Sequence, residues 1–529
     1  MEGLDVIVIG AGANGLACAL VLARGGMRVH VLEDRPAVGG GCRTEFPFGA
    51  APRLATSTGT HRLGFVPKDL LRLLGVSLPM RPRNPCAFVP TTSPGSFLLA
   101  GAGHEAFRDA VSRCAAAGPA DAAALGAMHA ELDAIVSDLA PAWLAGALDV
   151  EHTSERYVRA SHRAAFVALC RGSIGAYVDR FGVKSDLVRS AIAADAVMST
   201  FGSWSTPGTG AALLVRHAAK SLAGGGDAIP EGGMSAVIRV LADAAQAAGA
   251  TIATGKSAAK IIIEGNTTTG VQLADGELVR ATTVVSSADP MRLRAMIGDA
   301  HLPSEYRARV DGFARAGSVA KVNLALSALP KFTSLPEDHG QHGATTHLVP
   351  GAGMDGVSRL DAAFANAAAG AFPAAPPLEL VLPTATDASL RDAEGRHHAS
   401  VLVPWAPYDL AGTTWAAEEE RFVKQVLAVI DTFAPGTSAH VVDVFALTPK
   451  KLETHFGVTR GHMHHVDDAL IFADRMAYTT PIGGLYACGA GCSPAGGVLA
   501  VAGHNAAKRV LADMELGLER TEVGRKPVV

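Results

Sequence analysis

The stretch DVIVIGAGANGLACALVLA, residues 5–23, decides the fold. It begins with Val6–Ile9, a short run of apolar residues that is typical of a buried parallel strand. The glycine pattern G-x-G-x-x-G follows, and the next residues, Leu16–Arg24, have a helical pattern. A second apolar run, Val29–Leu32, ends at the acidic residue Glu33. This order of strand, glycine turn, helix, strand and acid predicts a β-α-β unit that binds a dinucleotide.

Each glycine of the first turn has a separate predicted role. Gly10 permits the tight turn, Gly12 lets the backbone approach a diphosphate, and Gly15 lets the helix pack closely on the strand. The unpaired N–H groups at the start of the helix favour a bound anion. Glu33 is placed to accept hydrogen bonds from a ribose diol, and its charge would repel a 2′-phosphate.

Two further glycine clusters repeat this chemistry. Gly39–Gly41 comes shortly after Glu33, where a flexible chain could pass close to the same diphosphate. Near the carboxyl end, Gly484–Gly489 is predicted to be a strand that runs into a glycine turn, and a helix is predicted over Val498–Leu511. A long flavin cofactor needs such a second anchor for its ribityl and ring end.

Composition excludes several classes of protein. The chain has 529 residues, of which 49% are hydrophobic and 18% charged, so it can bury a large core and is not disordered. The net charge of −4 gives no reason to expect nucleic acid as a partner. Seven cysteines without a recognisable pairing pattern predict a reducing, cytoplasmic location. The charge-free stretch 477–507 contains many glycines and two prolines, which predicts loop and helix instead of a membrane span. Peripheral contact with a membrane is left open, as is the oligomeric state.

The rest of the chain divides by pattern. Residues 104–220 are predicted to be mostly helical, and residues 231–286 to form a helix followed by short strands with turns. Residues 320–450 mix strands with one clear helix, Ala416–Thr432. The segment Ala362–Pro377 is rich in alanine and proline and is predicted to be a surface loop.

Several of these motifs together resemble one family. The stretches at residues 5–23, LEDRPAVGGGCRTE (32–45), VVSSADP (284–290) and GGLYACGAGCSPAGGVLAVAGHNAA (483–507) resemble the phytoene-desaturase-related and carotenoid-isomerase-like FAD oxidoreductases of the amine-oxidase-like flavoprotein superfamily. The likeness extends to IPEGGMSAVIRVLADAAQAAGA (229–250) and to TPKKLETHFGVTRGHMHH (448–465).

The resemblance implies an α/β fold with a discontinuous Rossmann-like FAD-binding domain and an α+β substrate domain of mixed sheet and helices. The FAD-binding domain would comprise residues 1–80, 222–300 and 470–529. The substrate domain would comprise the mostly helical residues 81–221 together with residues 301–469. The cofactor would be FAD, bound by Gly10, Gly12, Ala13, Asn14, Gly15, Glu33, Asp34, Gly39, Gly40, Cys42, Arg43, Ala258, Ala259, Gly489, Ala490, Gly497 and Val498.

Two departures from the family pattern bear on the chemistry. Amine oxidases usually carry an acid in the last glycine loop, whereas residues 488–491 are Cys-Gly-Ala-Gly here, which weakens the case for an amine oxidase. Cys492 stands where the family more often has another residue. It is either a buried structural cysteine, which is the more frequent case, or the site of a thioether bond to the flavin.

The remaining motifs favour oxidation of an organic substrate. The glycine run at 224–226 has no strand signal before it, so no second dinucleotide site for NADPH is predicted. Cys42 stands alone after the first glycine turn, which excludes the cysteine pair of a disulfide reductase. We therefore expect hydride transfer from the substrate to flavin N5, with oxygen or a quinone as the electron acceptor. Two alternatives stay open: a redox-neutral, flavin-dependent isomerase of a polyene, and a non-catalytic flavin-fold interaction protein.

The candidate catalytic residues are few. His464 and His465 come just before the last glycine loop, and His61 and Arg62 follow the first flavin-contact region. Histidine titrates near neutral pH and suits proton transfer, although each of these residues could instead be structural. The histidines at 462, 464 and 465 do not belong to a convincing set of metal ligands, so no metal is predicted. Aromatic residues make up only 5%, which favours a largely apolar substrate over an amine held in an aromatic cage. Trp204 is predicted either to line the substrate cavity or to pack in the core.

Overall fold

The computed structural model describes residues 3–221, 228–313 and 319–523. The glycine run at 224–226 lies outside these ranges. Within them, no helix is long and apolar enough to cross a membrane.

The strands of the described residues form two large sheets, one three-stranded sheet and two short ladders. They are β1 (Val6–Ile9), β2 (Val29–Glu33), β3 (Thr44–Glu45), β4 (Thr56–Ser57), β5 (Met80–Pro82), β6 (Ala87–Pro90), β7 (Phe97–Ala100), β8 (Ala228–Pro230), β9 (Thr251–Thr254), β10 (Ala258–Glu264), β11 (Thr267–Leu273), β12 (Leu278–Arg280), β13 (Thr283–Ser286), β14 (Val319–Leu326), β15 (Thr345–Leu348), β16 (Leu378–Val381), β17 (His397–Pro404), β18 (Val441–Leu447) and β19 (Leu485–Ala487).

The same residues form seventeen α-helices. They are α1 (Ala13–Arg24), α2 (Lys68–Leu74), α3 (Gly103–Arg113), α4 (Pro119–Asp138), α5 (Val150–Tyr157), α6 (Arg163–Arg171), α7 (Ile174–Asp179), α8 (Asp186–Val197), α9 (Thr209–Ser221), α10 (Met234–Ala247), α11 (Pro290–Ile297), α12 (Ser304–Phe313), α13 (Gly356–Ala368), α14 (Pro383–Thr386), α15 (Trp415–Phe433), α16 (Pro449–Phe456) and α17 (Val501–Val523).

The first large sheet is parallel, with the strand order β19-β13-β1-β2-β9. One row of residues crosses it in register: Ile252, Val31, Val8, Val285 and Tyr486. The central strands are buried along their whole length, which explains why they are continuous apolar runs. Helix α1 packs against both α10 and α17. The strands of this sheet come from all three segments predicted to form the nucleotide-binding domain; the limits of that domain stay a prediction.

The second large sheet is mixed, with the order β18-β14-β17-β16-β15-β6-β7. Its β14 lies antiparallel to both β17 and β18. The amphipathic helix α15 buries its apolar side, including Trp415 and Phe422, in the same core as Val322 and Val401 of the sheet. The molecule therefore has the predicted α/β fold, with a Rossmann-like parallel sheet and a second part that combines a mixed sheet with helices.

The predicted loop at Ala362–Pro377 is wrong over its first half. Helix α13 continues to Ala368, and it buries Leu360, Ala363 and Ala367 at helical spacing. Alanine is the strongest helix former, and the prolines that suggested a loop begin only after the helix has ended. Trp204 is also settled by the structure: it is 4% exposed, packs in the core, and has the Arg189 guanidinium over its ring.

Candidate functional site

The carboxyl ends of β1 and β2 open into a cavity of about 600 Å³. Ligands of open α/β sheets bind at this edge, where the chain order reverses. Three segments line the cavity: the first glycine turn, the Gly39–Gly41 cluster, and the last glycine loop, which covers residues 488–500 and lines the cavity mainly with Gly496–Ala500. Residues near both ends of the chain therefore meet at one cavity.

The first turn is shaped by three glycines with different surroundings. Gly10 has a φ of +94°, and a Cβ there would lie 2.3 Å from Ser287 Oγ. A Cβ at Gly15 would lie 2.0 Å from the Gly10 carbonyl oxygen, so Gly15 allows the helix to pack on the strand. A Cβ at Gly12, in contrast, would have no atom of the described residues within 4 Å. Gly12 thus faces open space at the amino end of α1, where a phosphate would be favoured.

Glu33 holds the same turn from the end of β2. It is 4% exposed; Oε2 accepts a hydrogen bond from the Ala11 N–H at 2.8 Å, and Oε1 accepts one from the Arg35 N–H at 3.0 Å. Burial, together with a hydrogen bond to Asp34, raises the pKa of Glu33 to about 7. Glu33 and Asp34 both line the cavity, so they could accept hydrogen bonds from ribose hydroxyls.

The second glycine cluster packs directly against the first turn, and the Gly39 N–H donates to the Ala11 carbonyl oxygen at 2.9 Å. Gly40 has a φ of +53°, and a Cβ there would come within 3.6 Å of the Gly12 Cα. Within the described residues, Asn14 Oδ1 and Arg43 Nε are buried and have no hydrogen-bond partner. Both residues line the cavity, so these two atoms are open to hydrogen bonds with a polar ligand bound there. Burial raises the pKa of the Cys42 thiol, which therefore remains protonated.

The last glycine loop is tied to the first third of the chain. The Phe65 N–H donates to the Gly497 carbonyl, and the Leu499 N–H donates to the Phe65 carbonyl, each at 2.9 Å. A Cβ at Gly64 would lie 2.4 Å from the Gly497 carbonyl oxygen, so this approach also requires glycine. These contacts place Gly497 and Val498 on the cavity wall.

Arg475 organises the segment that precedes this loop. The side chain is fully buried and forms an ion pair with Asp468 at 3.4 Å. The guanidinium donates to the carbonyl oxygens of His464, Val466, Asp467, Leu470, Ala490 and Cys492. One side chain therefore links the histidine segment to the last glycine loop.

The two predicted histidines of this segment differ in their surroundings. His464 Nδ1 lies 2.6 Å from Asp468 Oδ2, and despite burial the contacts with His464 and Arg475 hold the pKa of Asp468 below its usual range. His465 has a φ of +64°, a conformation that is uncommon outside glycine. Burial lowers the pKa of His465 to about 4, so its ring is neutral at neutral pH. Both side chains line the cavity.

His61 belongs to a buried network at the other side of the cavity. Its Nε2 lies 2.8 Å from Glu379 Oε1, and its Nδ1 lies 2.5 Å from Lys321 Nζ. Burial and the nearby Lys321 lower the pKa of His61 to about 4, so the neutral ring donates from Nε2 to Glu379 and accepts at Nδ1. Burial likewise lowers the pKa of Lys321, which is only 2% exposed, well below its usual value.

Arg62 joins this network to a second acid. Its Nη2 lies 3.2 Å from Asp195 Oδ1 and 3.4 Å from Glu379 Oε2. Despite burial, the surrounding cations hold the pKa values of Asp195 and Glu379 well below their usual range. Asp195, His347 and Glu379 also have ligand atoms within 4.8 Å of one another. Arg62 already pairs with both acids of that group, which leaves their charges less available to a metal ion. The absence of a bound metal stays a prediction.

Most predicted site residues meet at this one cavity. The residues on its wall are Gly10, Gly12, Ala13, Asn14, Glu33, Asp34, Gly39, Gly40, Cys42, Arg43, His61, Arg62, Ala258, Ala259, His464, His465, Ala490, Gly497 and Val498. Gly15 and Gly489 lie behind the wall, because both serve close packing; a Cβ at Gly489 would lie 2.7 Å from the Ser287 carbonyl oxygen. Cys492 is 3% exposed and also lies outside the wall.

The sequence analysis missed the charged residues that come from distant elements. Lys321 and Glu379 line the cavity from strands of the second sheet, and Arg216 lines it from α9. A signal was available for Lys321, since a lone charge in the apolar run SVAKVNLAL has to be buried and partnered. Asp195 carries the same signal within the apolar helix α8.

Comparison with known proteins gives a consistent result. Residues 14–511 match the family of flavin containing amine oxidoreductases. A protein of Rattus norvegicus, pyridine nucleotide-disulfide oxidoreductase domain-containing protein 2, is 30% identical over 97% of this chain and 94% of its own length. Prolycopene isomerase from the chloroplast of Daucus carota is 24% identical over 98% of this chain and 81% of its own length.

A solved structure shares the fold. An oxidoreductase from Methanosarcina mazei superposes with a TM-score of 0.59 at 17% identity, covering 97% of this chain and all of that one. Although the name of the rat protein contains the words disulfide oxidoreductase, all seven cysteines of this chain are free thiols.

Proposed function

The chain belongs to the flavin-containing amine oxidoreductase family, and from this premise we propose that it is an FAD-dependent enzyme that oxidises a small, largely apolar molecule. The oxidation removes one hydride and one proton from the substrate and leaves a double bond. Oxygen or a quinone would take the electrons afterwards.

One observation carries this proposal: a single cavity is lined by both the first glycine turn and the last glycine loop. Its donors and acceptors suit FAD, because Gly12 leaves room for a diphosphate and Asn14 and Arg43 have unused polar atoms beside it. Glu33 would accept the ribose diol, and Gly497 would border the flavin ring end. When bound, FAD supplies a two-electron acceptor for the substrate hydride.

The proton from the substrate requires a separate acceptor on the protein. Lys321 fits this role because it lies on the cavity wall and burial lowers its pKa well below the usual value, which favours the amine form that can accept a proton. His61 holds Nζ of Lys321 in place, and Glu379 fixes the tautomer of His61. His464 and His465 border the other side of the cavity, where they would position the substrate and exclude water.

Anaerobic reduction of the purified protein tests the proposal. The protein should carry bound FAD, and a substrate should bleach its absorption without oxygen. Lys321→Met should keep the FAD content but slow bleaching by about a hundredfold or more. Lys424→Met is the matched control, because Lys424 is an exposed residue of α15 that pairs with Glu420. A protein that binds no flavin would refute the proposed function, and an unchanged Lys321→Met rate would remove Lys321 from it.

A redox-neutral isomerase is the second candidate, and the match to prolycopene isomerase over 98% of the chain favours it. Such an enzyme would use reduced FAD and would show no net turnover of electrons. The same protein should then convert a polyene only after chemical reduction, and no substrate should bleach the oxidised form.

A further inference from the structure

A second, smaller cavity of about 80 Å³ adjoins the main one. The two cavities share three wall residues, all cationic: Arg62, Arg216 and Lys220. The remaining wall of the small cavity is largely apolar and includes Phe107 and Leu132. The boundary between the cavities thus carries three cationic side chains, and the rest of the small cavity is largely apolar.

The carboxylates near this boundary, Asp195 and Glu379, already form ion pairs with Arg62 and Lys220. Arg62 pairs with Asp195 at 3.2 Å and with Glu379 at 3.4 Å, and Lys220 pairs with the other Asp195 oxygen at 2.9 Å. His347 Nε2 lies 3.7 Å from Asp195, but burial lowers the pKa of His347, so its ring adds no charge at neutral pH.

Arg216 differs from the other two cations. It forms no hydrogen bond or ion pair with any residue in the described part of the chain, although its side chain borders both cavities. Three cations against two carboxylates leave one positive charge at the boundary. Burial and the neighbouring Arg62 lower the pKa of Arg216, and the more distant carboxylates of Asp195, Glu379 and Asp468 offset only part of that effect. Asp468 itself pairs with Arg475 and His464.

A guanidinium in such surroundings is costly unless an anion compensates it. We propose that Arg216 binds a carboxylate of the substrate, so that the substrate is an apolar carboxylic acid. A single negative charge matches the single unpaired positive charge, whereas a phosphate dianion would meet repulsion from Asp195 and Glu379. A planar carboxylate also fits the forked geometry of a guanidinium. This inference rests on the proposed function, since it assigns the substrate class of the same site.

Calorimetric titration of the FAD-containing protein with octanoate, and with octanamide as its neutral analogue, tests the inference. We expect the wild type to bind octanoate at least about tenfold more tightly than octanamide. Arg216→Met should abolish that preference while octanamide binding and FAD content stay unchanged, and Arg216→Lys should restore part of it. Arg421→Met, which changes an exposed residue of α15, should bind like the wild type.

Each remaining outcome counts against the proposal. Equal binding of octanoate and octanamide by the wild type, or no heat with either at millimolar concentration, would refute it without any variant. A preference that survives in Arg216→Met would refute it too. A loss or spectral change of the flavin in Arg216→Met, without a change in octanoate binding, would assign Arg216 to the cofactor. Absence of FAD from the wild-type protein would instead count against the proposed function.

Discussion

Gly12 and Gly15 belong to the same turn, but a side chain would have different consequences at each. Gly12→Val should abolish flavin retention without unfolding the protein, because the new side chain enters open space that the diphosphate needs. Gly15→Ala should lower the free energy of unfolding by about 1–3 kcal/mol, because its Cβ would collide with the Gly10 carbonyl oxygen.

The absorbance ratio at the flavin and protein bands, together with a denaturation curve for each variant, checks both expectations. Gly146→Val is the control, since Gly146 is exposed, has equally open space and lies outside the cavity wall. A yellow, fully loaded Gly12→Val protein would contradict the placement of the diphosphate.

His61 should make the protein sensitive to acid. Its pKa is about 4 in the folded protein against an ordinary value of 6.5, so the unfolded chain takes up a proton over this range and the folded chain does not. The stability that His61 contributes is complete above pH 6.5 and is lost as the pH falls towards 4. The shift corresponds to roughly 3 kcal/mol.

We therefore expect the wild type to lose roughly 3 kcal/mol more than His61→Gln between pH 7 and pH 4 in urea titrations. His301→Gln, at an exposed position, should leave the pH dependence of the wild type unchanged. Parallel curves for wild type and His61→Gln would show that His61 is not held neutral by its surroundings.

Among the elements, the segment from His462 to Leu499 is held in place by Arg475, which donates hydrogen bonds to six of its backbone carbonyls. Arg475→Met should lower the free energy of unfolding by about 3 kcal/mol or more, because it leaves several buried carbonyls without a donor and leaves Asp468 with His464 as its remaining partner. Flavin content should fall as well, since the last glycine loop loses its link to His464. Thermal melts and flavin content, compared with Arg421→Met, measure both effects; unchanged flavin content would separate Arg475 from the loop.

Local elements were predictable because their signals are local. The apolar run Val6–Ile9 and the glycine pattern after it predict β1 and the turn, and helix α1 differs from the prediction only by starting at Ala13. Prediction failed at α13, where alanine and proline gave opposite signals over Ala362–Pro377. The limits of short elements depend on packing that no local pattern contains.

At the scale of the whole molecule, the glycine loops of the site were predictable and its charged network was not. Each glycine loop carries its own sequence pattern, so their common ligand follows from the resemblance to a family. Lys321, Glu379 and Asp195 come from three different elements, and only the fold brings them to His61 and Arg62. A sequence shows that such charges must find partners, but it does not show which partners.

The proposed FAD would contact residues near both ends of the chain, so its removal should loosen those residues selectively. A ligand at a hundred times its dissociation constant adds about 2.7 kcal/mol of stability, so the flavin-free protein should melt several degrees lower. Hydrogen exchange should rise at residues 10–15, 39–43 and 489–499, which border the cavity or support its wall. It should stay unchanged in α15 and the strands beneath it, which share a separate core and serve as the internal control. A uniform increase in exchange would mean that the two sheets unfold as one unit. An increase confined to the first glycine turn would refute a ligand that spans both ends.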